Sequence, residues 1–125
     1  MILKQEDIFM SYDSTHPNEK DWKLFRKKLP EWQENYMVKL NREYQDILAQ
    51  DKNPSDIFWE LEERIRKDKK KTGVIVRGMS RSKMWVHMLN LLREGVIMLE
   101  DLSAFSEDLQ ERMAWIMKCS ERESE

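Results

Sequence analysis

The chain reads as an all-α protein, a compact bundle of five or six amphipathic helices with at most a minimal extended segment near 74–76. Three observations lead there. Apolar residues recur every three or four positions over most of the length, the spacing of one helical face. Three glycines and three prolines are too few for the many turns of an all-β fold. Val74-Ile75-Val76 is the single β-like run, too short to build a sheet alone, with Val96-Ile97 as its candidate partner.

At 125 residues the chain fits one domain, long enough to bury roughly two thirds of the surface it exposes when unfolded. Residues 17–118 are expected to form that domain, between a poorly structured segment at 1–16 and a frayed acidic tail at 119–125. Residues 1–16 lack sustained periodicity, although Ile8, Phe9 and Tyr12 supply apolar groups to dock on the body. Asn18 and Asp21 mark a helix start. Trp22, Phe25 and Leu29 give that helix one apolar face, and Pro30 is expected to end it.

A second helix of about 18 residues follows, because Trp32, Tyr36, Leu40, Tyr44 and Leu48 repeat every four positions with Met37 and Ile47 beside them. Asp51-Lys52-Asn53-Pro54 breaks it, and Asn53-Pro54 reads as cap and first residue of a third helix. Ile57, Phe58, Leu61 and Ile65 make that helix's expected buried stripe. Lys69, Lys70 and Lys71 suit the negative end of its dipole, and Gly73 suits a left-handed stop. Ser80 or Ser82 is expected to cap a fourth helix carrying Met84, Met88, Leu91 and Leu92, closed by Gly95. A short helix over about 98–105 precedes a last one, capped by Ser106 and carrying Leu109, Met113, Ile116 and Met117.

Charge is concentrated. Between Arg64 and Lys83 stand nine basic side chains and one acid, Asp68, in a chain of net charge −2. Arg66, Lys69, Lys70, Lys71, Arg77, Arg81 and Lys83 are therefore candidate partner- or anion-binding residues. The plainer reading, and the favoured one, is a solvated helix end whose cations suit the dipole and pair with the molecule's own acids. The stretch from Arg77 to Ser82 lacks the lysine and hydroxyl that a phosphate loop places directly after its glycine. Residues 91–118 loosely echo a helix-turn-helix, but the would-be reading helix opens with Glu107, Asp108 and Glu111, which would face phosphates. That echo reads as a packing hairpin.

Five tryptophans and nine methionines are many for this length. Most fill a small core. Trp59 falls off the third helix's main stripe and, with Trp85 beside Met84 and Met88, is a candidate exposed anchor for a partner. Catalysis fares worst. His16 and His87 have no Cys or His at ligand spacing, and Cys119 has no base nearby in sequence. No enzyme activity, metal or cofactor is expected. The longest apolar run, Val96-Ile97-Met98-Leu99, is far short of a membrane span, and acids at Glu6 and Asp7 interrupt any leader. A lone cysteine suits a reducing compartment, so a cytoplasmic protein without membrane contact is expected.

The stretches WKLFRKKLPEWQENYM (22–37), GVIVRGMSRSKM (73–84) and LLREGVIMLEDLSAFS (91–106) resemble those of a family of short bacterial proteins of uncharacterised function. The resemblance implies a small cytoplasmic bacterial protein and carries over no site residue. The functional expectation is a non-enzymatic interaction or regulatory module whose partner is another protein or a second copy of itself. The alternative is nucleic-acid or phosphate-ligand binding through residues 64–83.

Overall fold

A computed structural model of the chain describes residues 17–124; Ile8, Phe9, Tyr12 and His16 lie outside them. Four helices form: α1 (Glu19–Leu48), α2 (Pro54–Asp68), α3 (Met84–Arg93) and α4 (Glu107–Ser124). Single 3-10 turns cover Arg81–Lys83 and Leu99–Leu102, and no strand occurs among the described residues. The fold is all-α, with fewer helices than the five or six expected.

Pro30 accounts for part of that difference. It lies inside α1, which runs unbroken for 30 residues, roughly 45 Å. Proline removes one backbone bond and costs about 3 kcal/mol inside a helix. Pro30 is exposed, so the carbonyl it strands faces water. On either side Trp22, Phe25, Leu29, Trp32, Tyr36 and Leu40 are buried along one stripe, and that burial outweighs the lost bond. The expected short helix over 98–105 is instead a four-residue 3-10 turn.

The helix ends follow local chemistry. Asn18 accepts the Asp21 N–H at 2.7 Å and caps α1. Gly95 adopts φ +75° and closes α3, with Val96 N–H bonded to Leu91 C=O at 2.9 Å and Gly95 N–H to Leu92 C=O at 3.2 Å. Those bonds engage the amides that pairing with residues 74–76 would have used. Val74 and Ile75 likewise donate backward to Lys71 C=O, so Val74 closes a turn and residues 75–76 continue as irregular chain without strand pairing. Neither expected serine caps α3 with its side chain: Ser80 precedes the 3-10 turn and makes no capping bond, and α3 itself starts from Lys83. α4 runs past Cys119 to Ser124.

The core lies between the first half of α1, α3 and α4. Trp22, Phe25, Leu29 and Trp32 meet Met84, Met88, Leu91, Leu102, Phe105, Leu109 and Met113 there. Phe25 packs edge-on to Trp32 at 6.3 Å, and Trp32 tilts against Phe105 at 6.1 Å. No described helix is long and apolar enough to cross a membrane.

Candidate functional site

α1 outruns this core. Beyond Leu40 none of its residues is buried, and Leu48, at the end of its stripe, is 57% exposed. The last two turns of α1 pair instead with α2, forming a two-helix hairpin at the edge of the body.

α2 is unusual because its only buried residue is an aspartate, Asp68. Ile57, Leu61 and Ile65 are half-buried, and Phe58 and Trp59 are each 62% exposed. The stripe expected to be buried therefore is not. The reason is angular: Ile57, Phe58 and Trp59 are consecutive, so their side chains spread over about 200° of the helix circumference. One neighbouring helix covers about half of that. The two rings left outside pack edge-to-face against each other, centroids 4.9 Å apart.

What anchors α2 to α1 is polar. Asp68 accepts a hydrogen bond from the Tyr44 hydroxyl at 2.6 Å and from Arg64 Nε at 2.9 Å, with Lys71 Nζ at 3.5 Å. Arg64 also reaches Glu43. Burial, and then the bond to the Asp68 carboxylate, push the Tyr44 phenol well above the ordinary tyrosine range. Behind this network Glu94 accepts the N–H groups of Thr72 and Gly73 at 3.2 Å each, and Gln33 donates to Thr72 C=O at 3.0 Å. These bonds fix the chain that leaves α2. Gly73 does not have positive φ. A side chain there would run into the Tyr36 ring and meet Val96 at 2.6 Å, so glycine serves close approach rather than a left-handed stop.

With that segment fixed, the basic residues separate into two groups. Lys71 is spent on Asp68, and Arg81 forks onto Glu19 at 2.7 and 3.0 Å while stacking over Trp22. Lys83 folds back along Gly78. Lys71 and Arg81 are thus paired within the fold, whereas Lys83 stays exposed with no acid within ion-pair distance among the described residues. Lys69, Lys70 and Arg77 are exposed and have no acid within ion-pair distance among the described residues; Arg66 pairs only loosely with Glu62 at 3.3 Å. Trp85, read as an anchor, is half-buried against the core beneath Arg112, 4.5 Å from its ring, and is no free surface.

The second group converges. A groove of about 510 Å³ is lined by Arg66, Lys69, Lys70, Val74, Ile75 and Arg77. A neighbour of about 330 Å³ shares Arg66 and Lys69 and continues onto Phe58, Leu61 and Ile65. Apolar floor and cationic rim form one continuous strip along α2, with Trp59 on its flank beside Glu62, Glu63 and Arg66. Phe58, Leu61, Ile65, Val74 and Ile75 are the apolar members that sequence reasoning missed. Three consecutive apolar residues on an otherwise charged helix were the available signal for the first.

Comparison of the chain with protein-family models, curated proteins and solved structures finds no match.

Proposed function

We propose that this protein is a non-enzymatic helical interaction module that binds a polypeptide through the outer face of α2 and the basic groove beside it. The observation that carries this reading is the pair Phe58 and Trp59, 62% exposed and adjacent, on a helix that buries no apolar side chain. Covering large apolar side chains returns about 1.5–3 kcal/mol each, and aromatic residues with arginine are enriched at protein interfaces. A cationic rim beside an apolar strip suits an amphipathic segment carrying carboxylates. The cytoplasm suits the lone cysteine. The resemblance over 22–37, 73–84 and 91–106 adds no residue to this reading.

Nucleic-acid binding is the second reading, favoured by the convergence of Arg66, Lys69, Lys70 and Arg77 on one groove. A photo-crosslinking residue at position 59 of the full chain, irradiated in cells that express it, separates the two. The expected result is a discrete adduct to a polypeptide, identified by mass spectrometry and absent when the probe sits at Lys39. Nuclease-sensitive adducts, with retardation of nucleic acid at about 50 mM salt that Lys69→Gln/Lys70→Gln removes, would transfer the site to the second reading. No adduct above the position-39 background overturns both.

A further inference from the structure

We infer that the polypeptide received by this face is α2 of a second copy, laid antiparallel across a two-fold axis; this rests on the proposed reading of the same face as a protein-docking surface. The charge order along α2 carries it. Between Pro54 and Glu63 the helix holds Asp56, Glu60, Glu62 and Glu63 and no base. From Arg64 through the three lysines that follow the helix end at Asp68 there are six bases and one acid, the buried Asp68. Arg64 and Lys71 are spent on Asp68, which leaves Arg66, Lys67, Lys69 and Lys70 as the outward bases. Two such helices side by side in parallel oppose like charges along their whole length. Antiparallel, each acidic half meets the other's basic half, and both ends are satisfied by one symmetry operation.

The geometry on the helix supports this arrangement. Ile57, Arg64 and Asp68 lie toward α1, whereas Phe58, Trp59, Glu62, Arg66 and Lys69 line the grooves and pockets on the outer side. The aromatic pair therefore sits on the same exposed side as the charges that select orientation. Glu60 is occupied by Lys52 and Gln50 at 3.0 Å each, which leaves Asp56, Glu63 and Glu62, the last loosely held by Arg66 at 3.3 Å, as the acids on the outer side. The alternative contact, basic groove against the acidic region beyond residue 94, leaves Phe58 and Trp59 outside and makes no use of the acids in α2.

A helix about 22 Å long presents a small contact, at or below the ~1,200 Å² that marks the lower end of specific interfaces. The dimer is accordingly weak, with a dissociation constant on the order of 100 µM.

Sedimentation equilibrium of the full chain at low salt reads this directly. The wild type is expected to shift from monomer to dimer as its concentration rises to about 1 mM. Glu62→Lys/Glu63→Lys and Lys69→Glu/Lys70→Glu are each expected to weaken self-association at least about tenfold, and an equimolar mixture to restore it. All four positions are exposed, and circular dichroism checks that each variant folds. Phe58→Ser/Trp59→Ser, which reverses no charge, is expected to be monomeric. A wild type that stays monomeric throughout overturns the inference. So does a folded Glu62→Lys/Glu63→Lys variant that dimerises as well as wild type, or folded variants that fail to rescue each other. A monomer whose position-59 probe still captures a different protein removes the second copy while the docking face stands.

Discussion

Asp21 joins the first turn of α1 to the start of α4. It is 3% exposed, accepts the backbone N–H of Ser106 at 2.9 Å and its hydroxyl at 2.6 Å, and so holds the residue that caps α4 through Leu109 N–H. Asp21→Ala leaves buried donors without a partner and should cost about 2–4 kcal/mol in urea unfolding. Asn18→Ala, which removes only a cap, should cost about 1 kcal/mol. At Gly73 an added methyl meets Val96 and the Tyr36 ring, so Gly73→Ala should cost about 1–3 kcal/mol by overpacking. Gly95→Ala has open space but a positive φ, and about 1–2 kcal/mol of backbone strain is expected there instead. Tyr44 gives the pH dependence. Its folded-state ionisation is raised by burial and by Asp68, so its contribution is full below the unfolded value of about 10 and is lost as pH rises beyond it. Tyr36 is raised as well, first by burial. Tyr44→Phe should therefore show a shallower loss of stability between about pH 10 and 12 than wild type in paired melts.

At the scale of elements, Pro30 misled the reading of α1 and α2 did so for the opposite reason. The proline is a local rule, and it was overruled because apolar residues on both of its sides face the same core. Pro30→Ala restores one backbone bond on the exposed side while giving back unfolded-chain entropy. A net gain of about 1–2 kcal/mol in thermal or urea unfolding is the expected outcome. In α2 the periodicity was legible, but periodicity reports an apolar face and not what covers it. Trp22, Phe25, Met88, Leu109 and Met113 fell where their spacing placed them because α1, α3 and α4 share one core. Phe58 did not, because α2 has only the far end of α1 for a neighbour. The pairings that split the basic segment were illegible for a related reason. Glu19 lies 62 positions from Arg81, and no spacing rule connects them.

The whole molecule divides its labour between a packed body and a hairpin held on by a buried carboxylate. That division makes the two kinds of aromatic residue differ sharply in consequence. Phe25→Ala, fully buried, should cost about 3–5 kcal/mol and threaten the fold. Phe58→Ser/Trp59→Ser should change stability of the isolated chain by no more than about 1 kcal/mol while removing partner binding, since neither ring is in the core. The central claim is that the outer face of α2 is open in the isolated protein and covered when the protein works. Hydroxyl-radical footprinting of the purified full chain, dilute against about 1 mM, tests it most directly. Trp115, 67% exposed on α4, is an internal control of similar accessibility. The account predicts that Trp59 oxidises as readily as Trp115 in dilute solution, and that Phe58 and Trp59 both lose reactivity relative to Trp115 at about 1 mM. Oxidation of Phe58 and Trp59 that keeps the same ratio to Trp115 in both settings would contradict it.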